Sequence, residues 1–214
     1  MLTEWADIAQ SASVILASLF AIYGIDAWRR EFIGKRRMEL AEEVLALFYQ
    51  ARDVIASIRS PFGYVGEGQT RKPAPNERPE DKQALDTAFV LVERYNMHVE
   101  IFSRIQALRY RFMAQLGVKE AKPFTELNMI VTELLLSSRH MARLMTRREH
   151  TFRNESDVEK HQREMERIDA IFYGGFDNDP IALRVDTAVT EIERTCKEII
   201  ENRRTLFWLF NRRM

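Results

Sequence analysis

Two apolar patterns follow one another in the first third of the chain. Apolar residues run with few interruptions through residues 8–25, and from residue 31 they recur at intervals of three and four as far as residue 58. The first pattern is typical of a helix that is apolar on all sides, and the second of an amphipathic helix. Gly34 costs such a helix only about 1 kcal/mol relative to alanine. The patterns therefore predict one continuous helix, which ends where Ser60-Pro61 disfavours helical backbone.

The apolar run has the length of a short membrane span. As a helix, residues 8–25 measure about 27 Å, and the hydrocarbon core of a bilayer is roughly 30 Å thick. Trp5 and Trp28 flank the run, and tryptophan concentrates at membrane interfaces. We therefore predict that residues 1–30 form a single-pass membrane anchor. Its predicted membrane-facing residues are Trp5, Ile8, Val14, Ile15, Leu16, Leu19, Phe20, Ile22, Tyr23 and Trp28.

The charges on the two sides of the run predict its orientation. Glu4 and Asp7 precede it, whereas the residues that follow it include a basic flank of Arg29, Arg30, Lys35, Arg36 and Arg37. Basic residues tend to remain on the cytoplasmic side of a membrane. We expect a protein of the cell membrane with its N-terminus outside and its C-terminal domain in the cytoplasm. A cleaved signal peptide is disfavoured, because it would need a basic segment before the run and a small-residue cleavage site after it.

Two other interpretations of the apolar run stay open. It could be a core helix that packs in a soluble bundle or oligomer interface, or a helix that lies in the plane of a membrane surface. A soluble core helix would normally carry a polar face, and Ser11, Ser18 and Tyr23 do not form a continuous one.

The rest of the chain predicts an all-α fold. Residues 31–214 are expected to form an antiparallel cytoplasmic bundle of four to five long helices. Ser156 and Glu159 have the spacing of a capping box, and Asp179-Pro180 is a typical helix start. After the first helix, the apolar spacing predicts helices over residues 80–116, 124–148, 156–173 and from 180 onward. No segment shows the period-two alternation of a strand.

One long connection interrupts the helices. Residues 60–79 are rich in proline and glycine, but they lack the Gly-Lys-Ser/Thr sequence of a phosphate-binding loop. We predict a flexible crossover in which Phe62 and Tyr64 tuck against the bundle. Long loops are often functional, so this is also the first place to look for a partner-binding segment.

Composition and charge exclude several function classes. The chain is 46% hydrophobic and 30% charged with a net charge of zero, so no overall field attracts nucleic acid, and no nucleic-acid partner is expected. The single Cys196 excludes an internal disulfide framework, and its position predicts a buried thiol on the last helix. Asp157, His161 and Glu164 share a helix face, which we interpret as a solvated, ion-paired surface. No metal or cofactor is predicted.

A weak catalytic resemblance involves two residues. Arg143 and His150, with six residues between them, resemble the Arg-x4–6-His signature of the HEPN ribonucleases, which are helical bundles. The resemblance implies that both residues would line an RNA-cleaving cleft. Leu144 departs from that family's pattern, which usually has a polar residue after the arginine.

The C-terminus carries a second aromatic and basic cluster. Its members are Phe207, Trp208, Phe210, Arg212 and Arg213. This composition is typical of a segment that lies among lipid headgroups. The last helix would then run back beside residues 28–37; alternatively, its end packs on the bundle.

These patterns predict a membrane-anchored helical binding or scaffold protein without a catalytic motif. The expected partners are the lipid bilayer, through the N-terminal helix, and a protein partner or a second copy of the chain. The alternatives are a HEPN-like ribonuclease and a soluble oligomeric regulator that uses the apolar helix as an interface.

Overall fold

A computed structural model describes the backbone of residues 2–147 and 154–211, and the side chains of residues 13–147 and 154–201. In these ranges the protein consists of helices and contains no strand, which confirms the all-α prediction. The α-helices are α1 (Leu2–Ile58), α2 (Lys82–Met97), α3 (Val99–Leu116), α4 (Lys122–Met145), α5 (Glu155–Phe172) and α6 (Pro180–Asn211). Short 3-10 turns, Pro79–Asp81 and Lys119–Ala121, precede α2 and α4.

The chain divides into two compact units. One unit, the terminal unit, consists of Met1–Glu42 and Lys197–Met214. The other, the bundle unit, consists of Glu43–Cys196 and contains the loop of residues 60–79.

The N-terminal helix is continuous, as predicted, and Gly34 does not interrupt it. Among the residues that the structure describes, no helix combines the length and the apolar character that crossing a membrane requires. The membrane-spanning part of the fold prediction is therefore not supported. Trp5 and Ile8, the first two predicted anchor residues, lie outside the described side chains.

Three phenylalanines form the centre of the bundle unit. The ring of Phe124 on α4 lies edge-on to Phe48 of α1 at a centroid distance of 5.0 Å and 5.1 Å from Phe112 of α3. All three side chains are completely buried. Aromatic rings bury the largest apolar areas of any side chains, so this cluster fixes α1, α3 and α4 together.

The prediction of one continuous helix over residues 80–116 is wrong, because the segment is broken at one residue. The backbone leaves the helical conformation at His98, with φ −118° and ψ 11°, and divides the segment into α2 and α3. Both helices pack along α4: the hydroxyl of Ser138 donates to the carbonyl of Ala88, and the amide of Gln106 donates to Asn128. The sequence around the break contains no glycine or proline that would reveal it.

Helix starts were predicted with mixed success. Asp179 caps α6 as predicted, because its Oδ1 accepts the backbone N–H of Ile181 at 2.9 Å. The predicted capping box at Ser156 is wrong. Asn154 is the N-cap of α5 instead, and its Oδ1 accepts the N–H of Asp157 at 2.9 Å. Both residue types cap well, so the sequence alone did not separate the two positions.

A buried arginine just after α1 joins three helix ends. Arg59 is 2% exposed, and its guanidinium donates to the carbonyls of Ala170, Ile171 and Tyr173 at 2.9, 2.8 and 2.7 Å. The carbonyls at the end of an α-helix have no partners within the helix, so Arg59 caps α5. Its Nη1 donates to Asp179, the N-cap of α6, at 2.7 Å.

Candidate functional site

Arg94 of α2 holds the first half of the 60–79 loop. Its Nη1 donates to the carbonyl of Ser60 at 2.7 Å and to that of Ile58 at 3.3 Å, and its Nη2 donates to the carbonyl of Phe62 at 2.7 Å. Only 11% of the side chain is exposed. The end of α1 and the start of the loop are therefore wrapped around one buried guanidinium.

Glu67 neutralises this guanidinium. Its Oε2 lies 2.7 Å from Arg94 Nη2, and its Oε1 lies 3.1 Å from Arg94 Nε. The same Oε2 accepts the backbone N–H of Tyr64 at 3.1 Å. The hydrogen bonds from Arg94 outweigh the effect of burial and hold the pKa of Glu67 below its usual value.

A second arginine holds the other half of the loop. Arg71 makes a two-pronged contact with Glu77, with both N–O distances at 2.6 Å, and its Nη2 lies 2.9 Å from Asp86 of α2. Lys82 also binds Asp86 at 2.7 Å. The pKa of Glu77 is lowered chiefly by Arg71, and that of Asp86 first by Lys82 and then by Arg71.

A glycine lets the loop lie against α2. Gly68 has φ +83°, and a Cβ atom there would collide with the backbone carbonyl of Asp86. Its N–H donates to the Glu93 carboxylate, which also accepts the hydroxyl of Thr70 at 2.6 Å. Only glycine combines this backbone conformation with so close an approach.

The ordered loop presents an apolar tip to solvent. Phe62, Tyr64 and Val65 are 84%, 85% and 108% exposed. The prediction that Phe62 and Tyr64 tuck against the bundle is therefore wrong. The tip points outward because the polar interior of the loop is occupied by Arg94 and its carbonyl partners.

A cleft of about 740 Å³ lies between the loop and α2. Its walls include Tyr64 and Val65 from the tip, Thr87 from α2 and Tyr173 after α5. Burial and the nearby Asp169 carboxylate raise the pKa of Tyr173. Arg94 and Glu67, which also line the cleft, are paired with one another, and the described lining holds no nucleophile positioned by a base.

The apolar side chains of α1 between residues 14 and 25 are exposed. Their exposed fractions range from 56% for Leu16 to 74% for Phe20. At about 100° per residue, they cover more than half of the helix circumference. Much of the remaining sector is occupied by the small residues Ala17, Ala21 and Gly24. We refer to this set as the apolar segment: Val14, Ile15, Leu16, Leu19, Phe20, Ile22, Tyr23 and Ile25.

Carboxylates neutralise two of the five residues of the basic flank. Arg30 pairs with Asp26, and Lys35 lies 3.9 Å from Glu39. Both pairs join residues one helical turn apart on the exposed surface.

Arg36 belongs to a ladder of side chains on one face of α1. Its guanidinium carbon lies 4.4 Å from the ring centroid of Phe32, and that ring stacks on Trp28 at 5.7 Å. Trp28 is 66% exposed.

Only one of the two catalytic candidates lies within the described part of the chain. Arg143 is exposed in the last turn of α4, and His150 lies outside the described residues. The predicted C-terminal cluster also lies outside the described side chains: Phe207, Trp208, Phe210, Arg212 and Arg213.

Two further sequence predictions concern metal and thiol chemistry. Within the ranges that the structure describes, no group of three acidic, histidine or cysteine side chains could hold a metal ion. Cys196 is completely buried as predicted, and burial raises the pKa of its thiol to about 12. The thiol is therefore protonated at neutral pH and unreactive.

Sequence reasoning missed the residues that build the loop. The chain contains many arginines, and nothing in the spacing of Arg71 and Arg94 indicates that each of them binds several acceptor groups around the loop. No protein-family model, no curated protein and no solved structure matches this chain.

Proposed function

We propose that this chain is a membrane-anchored helical binding protein without catalytic activity. The N-terminal part of α1 is the anchor, residues 8–25 span the bilayer of the cell membrane, and the bundle unit faces the cytoplasm. The apolar tip of the 60–79 loop and the cleft beneath it form the surface for a protein partner.

The exposed apolar segment carries this proposal. Burying one large apolar side chain stabilises by about 1.5–3 kcal/mol, so covering eight of them is worth on the order of 10 kcal/mol or more. That is comparable to the net stability of a whole domain, and such a surface is covered by lipid or protein. Lipid surrounds a helix on all sides, which matches the spread of these residues around α1. The basic flank then orients the bundle unit towards the cytoplasm.

The loop supports the binding role. The backbone at Phe62 and Tyr64 is held by the Arg94–Glu67 pair, so less backbone entropy is lost when a partner covers the tip. Aromatic side chains of this kind are enriched in protein interfaces.

Membrane fractionation tests the anchor. The full chain should remain in the membrane pellet after an alkaline carbonate wash. The double variant Leu16→Arg/Leu19→Arg should leave the pellet, because each charge costs about 2.5–3.5 kcal/mol near the middle of a membrane helix. Leu183→Arg is the matched control, since Leu183 is a 70% exposed leucine of the bundle unit.

The alternatives give different results in the same experiment. A helix that lies in the plane of the membrane surface is released by carbonate but not by a neutral wash. A chain recovered wholly in the soluble fraction ends the anchor proposal. If that soluble chain is an oligomer that Leu16→Arg/Leu19→Arg dissociates, the apolar segment is a subunit interface instead.

Photo-crosslinking in cells tests the loop. A crosslinking amino acid at Tyr64 should give a defined adduct that disappears when Phe62 and Val65 are replaced by serine. The same amino acid at Tyr110, a 71% exposed residue of α3, is the control position. Equal adducts at both positions, or an adduct that survives the serine substitutions, would contradict partner binding at the tip.

A further inference from the structure

We infer that the basic flank of α1 is a binding site for the headgroups of anionic phospholipids, in which Arg29, Arg36 and Arg37 contact phosphate. The inference rests on the proposed anchor, because it requires the flank to lie at the surface of a bilayer. It adds a selectivity to that anchor: the protein would distinguish anionic from neutral lipid.

The charge balance of the flank leaves three arginines for a ligand. Arg30 and Lys35 are neutralised by carboxylates one turn away on the same helix. No carboxylate among the described side chains pairs with Arg29, Arg36 or Arg37, and all three are exposed. Residues 26–39 carry five basic side chains and three acidic ones, Glu31 included, so a net charge of +2 lies within about four turns of helix after the apolar segment.

The ladder fixes where one of these charges lies. The guanidinium carbon of Arg36 lies 4.4 Å from the centroid of the Phe32 ring, a cation–π contact, and no carboxylate among the described side chains accepts from its N–H groups. These donors match the oxygens of a phosphate group. Helical side chains lean towards the N-terminus of their helix. The guanidinium accordingly lies over Phe32, one turn closer to the apolar segment than the backbone of Arg36.

The surroundings favour lipid phosphate as the ligand. Trp28 begins the ladder, is 66% exposed and follows the apolar segment directly, which is the position of an aromatic residue at a membrane interface. Cations beside an apolar surface meet the phosphates of lipids that cover that surface. The chain has no net charge that would draw in nucleic acid.

Trp28 provides a local reporter for the test. In the full-length chain with Trp5→Phe and Trp208→Phe, Trp28 is the only tryptophan. The protein is reconstituted in vesicles of phosphatidylcholine and phosphatidylglycerol, in which one or the other lipid carries brominated acyl chains that quench tryptophan fluorescence. Phosphatidylglycerol should occupy the site at Trp28 about five-fold or more in preference to phosphatidylcholine, and high salt should reduce this preference.

A triple substitution tests whether the lipid preference depends on the basic flank or only on the total charge of the protein. The variant that combines Arg29→Gln, Arg36→Gln and Arg37→Gln should bind the two lipids at Trp28 about equally. The matched control combines Arg111→Gln, Arg139→Gln and Arg194→Gln, which remove the same charge from exposed positions of the bundle unit. The control should keep the preference of the parent chain.

Each other outcome has a definite meaning. Equal quenching by both brominated lipids overturns the lipid inference and leaves the anchor intact. If neither lipid quenches Trp28, the anchor proposal fails and the inference fails with it. Preferential binding to phosphatidylglycerol that high salt fully reverses supports the headgroup site while contradicting the span. If inorganic phosphate removes the preference where sodium chloride of the same ionic strength does not, the flank is a free-phosphate site and the lipid assignment is overturned.

Discussion

The guanidinium of Arg59 and the carboxylate of Asp179 meet at 2.7 Å, with only 3% and 7% of the two side chains exposed. Arg59 comes directly after α1 and caps the end of α5, whereas Asp179 caps the start of α6. One ion pair thus fixes three helix ends of the bundle unit. Each partner satisfies backbone groups that would otherwise be buried without hydrogen bonds.

Replacing Arg59 should therefore destabilise the protein strongly. Arg59→Met leaves Oδ2 of Asp179 and the carbonyls at the end of α5 buried without the donor that Arg59 supplies. Breaking such a buried pair costs about 3–5 kcal/mol. Arg52→Met, at an exposed arginine of α1, should cost about 1 kcal/mol or less. Urea unfolding of both variants measures the difference.

The double variant checks the cause of that loss. Asn is as good a helix cap as Asp, so Arg59→Met/Asp179→Asn keeps the cap but removes the unpaired charge. It should lose less stability than the sum of the two single variants. Strict additivity would contradict the coupling between Arg59 and Asp179.

Gly68 offers a test of the loop architecture. Gly68→Ala should open the loop, because the added Cβ meets the Asp86 backbone in addition to the strain of a positive φ. Gly66→Ala is the matched control: its φ is +93°, but a Cβ there would meet no atom within 4 Å, so only the strain of about 1–2 kcal/mol remains. Chymotrypsin cleavage at the exposed tip should accelerate much more for Gly68→Ala. Equal cleavage of both variants would show that the loop is not held against α2.

Acid should weaken the loop before it affects the aromatic core. Partners lower the pKa values of Glu67 and Asp86 in the folded protein from the usual 4.5 and 3.8. As the pH falls, the unfolded chain therefore binds protons before the folded protein does. The stabilisation from Glu67 and Asp86 is complete above their usual pKa values of 4.5 and 3.8, and it is lost as the pH falls through the lower pKa values of the folded protein. Unfolding free energies measured between pH 7 and pH 3 should decrease below about pH 4.5. Glu67→Gln should make this decrease smaller; an unchanged pH dependence would contradict a role for the Arg94–Glu67 pair.

The sequence predicted elements better than it predicted their connections. The continuous α1 and the cap at Asp179 follow from local patterns, and both are confirmed. The break at His98 was not predictable, because no glycine or proline marks it in the sequence. The ordered loop was missed for a related reason. Proline and glycine content indicates a loop, but the buried partners of Arg94 depend on contacts between residues more than thirty positions apart.

Cys196 should react only when the protein unfolds. Its thiol is completely buried, and burial raises its pKa to about 12, so thiolate is scarce and access is blocked. A disulfide reagent at pH 8 should leave the native chain unmodified for as long as it stays folded and should modify it stoichiometrically in denaturant. Rapid modification of the native chain would mean that the α6 segment around Cys196 opens on its own.

Asp169 should reduce stability at neutral pH, and its neutralisation should increase it. The carboxyl lies in the last turn of α5, where burial raises its pKa and a negative charge opposes the helix dipole. A carboxyl whose pKa is raised on folding favours the folded state below its unfolded pKa, and this advantage is lost as the pH rises and the group ionises. Asp169→Asn should therefore stabilise the chain at pH 7 and have little effect at pH 3.

Asp186→Asn, at an exposed position of α6, is the control and should change stability by no more than about 0.5 kcal/mol at either pH. A loss of stability in Asp169→Asn at pH 7 would show instead that the ionised carboxylate makes a favourable interaction in the folded protein.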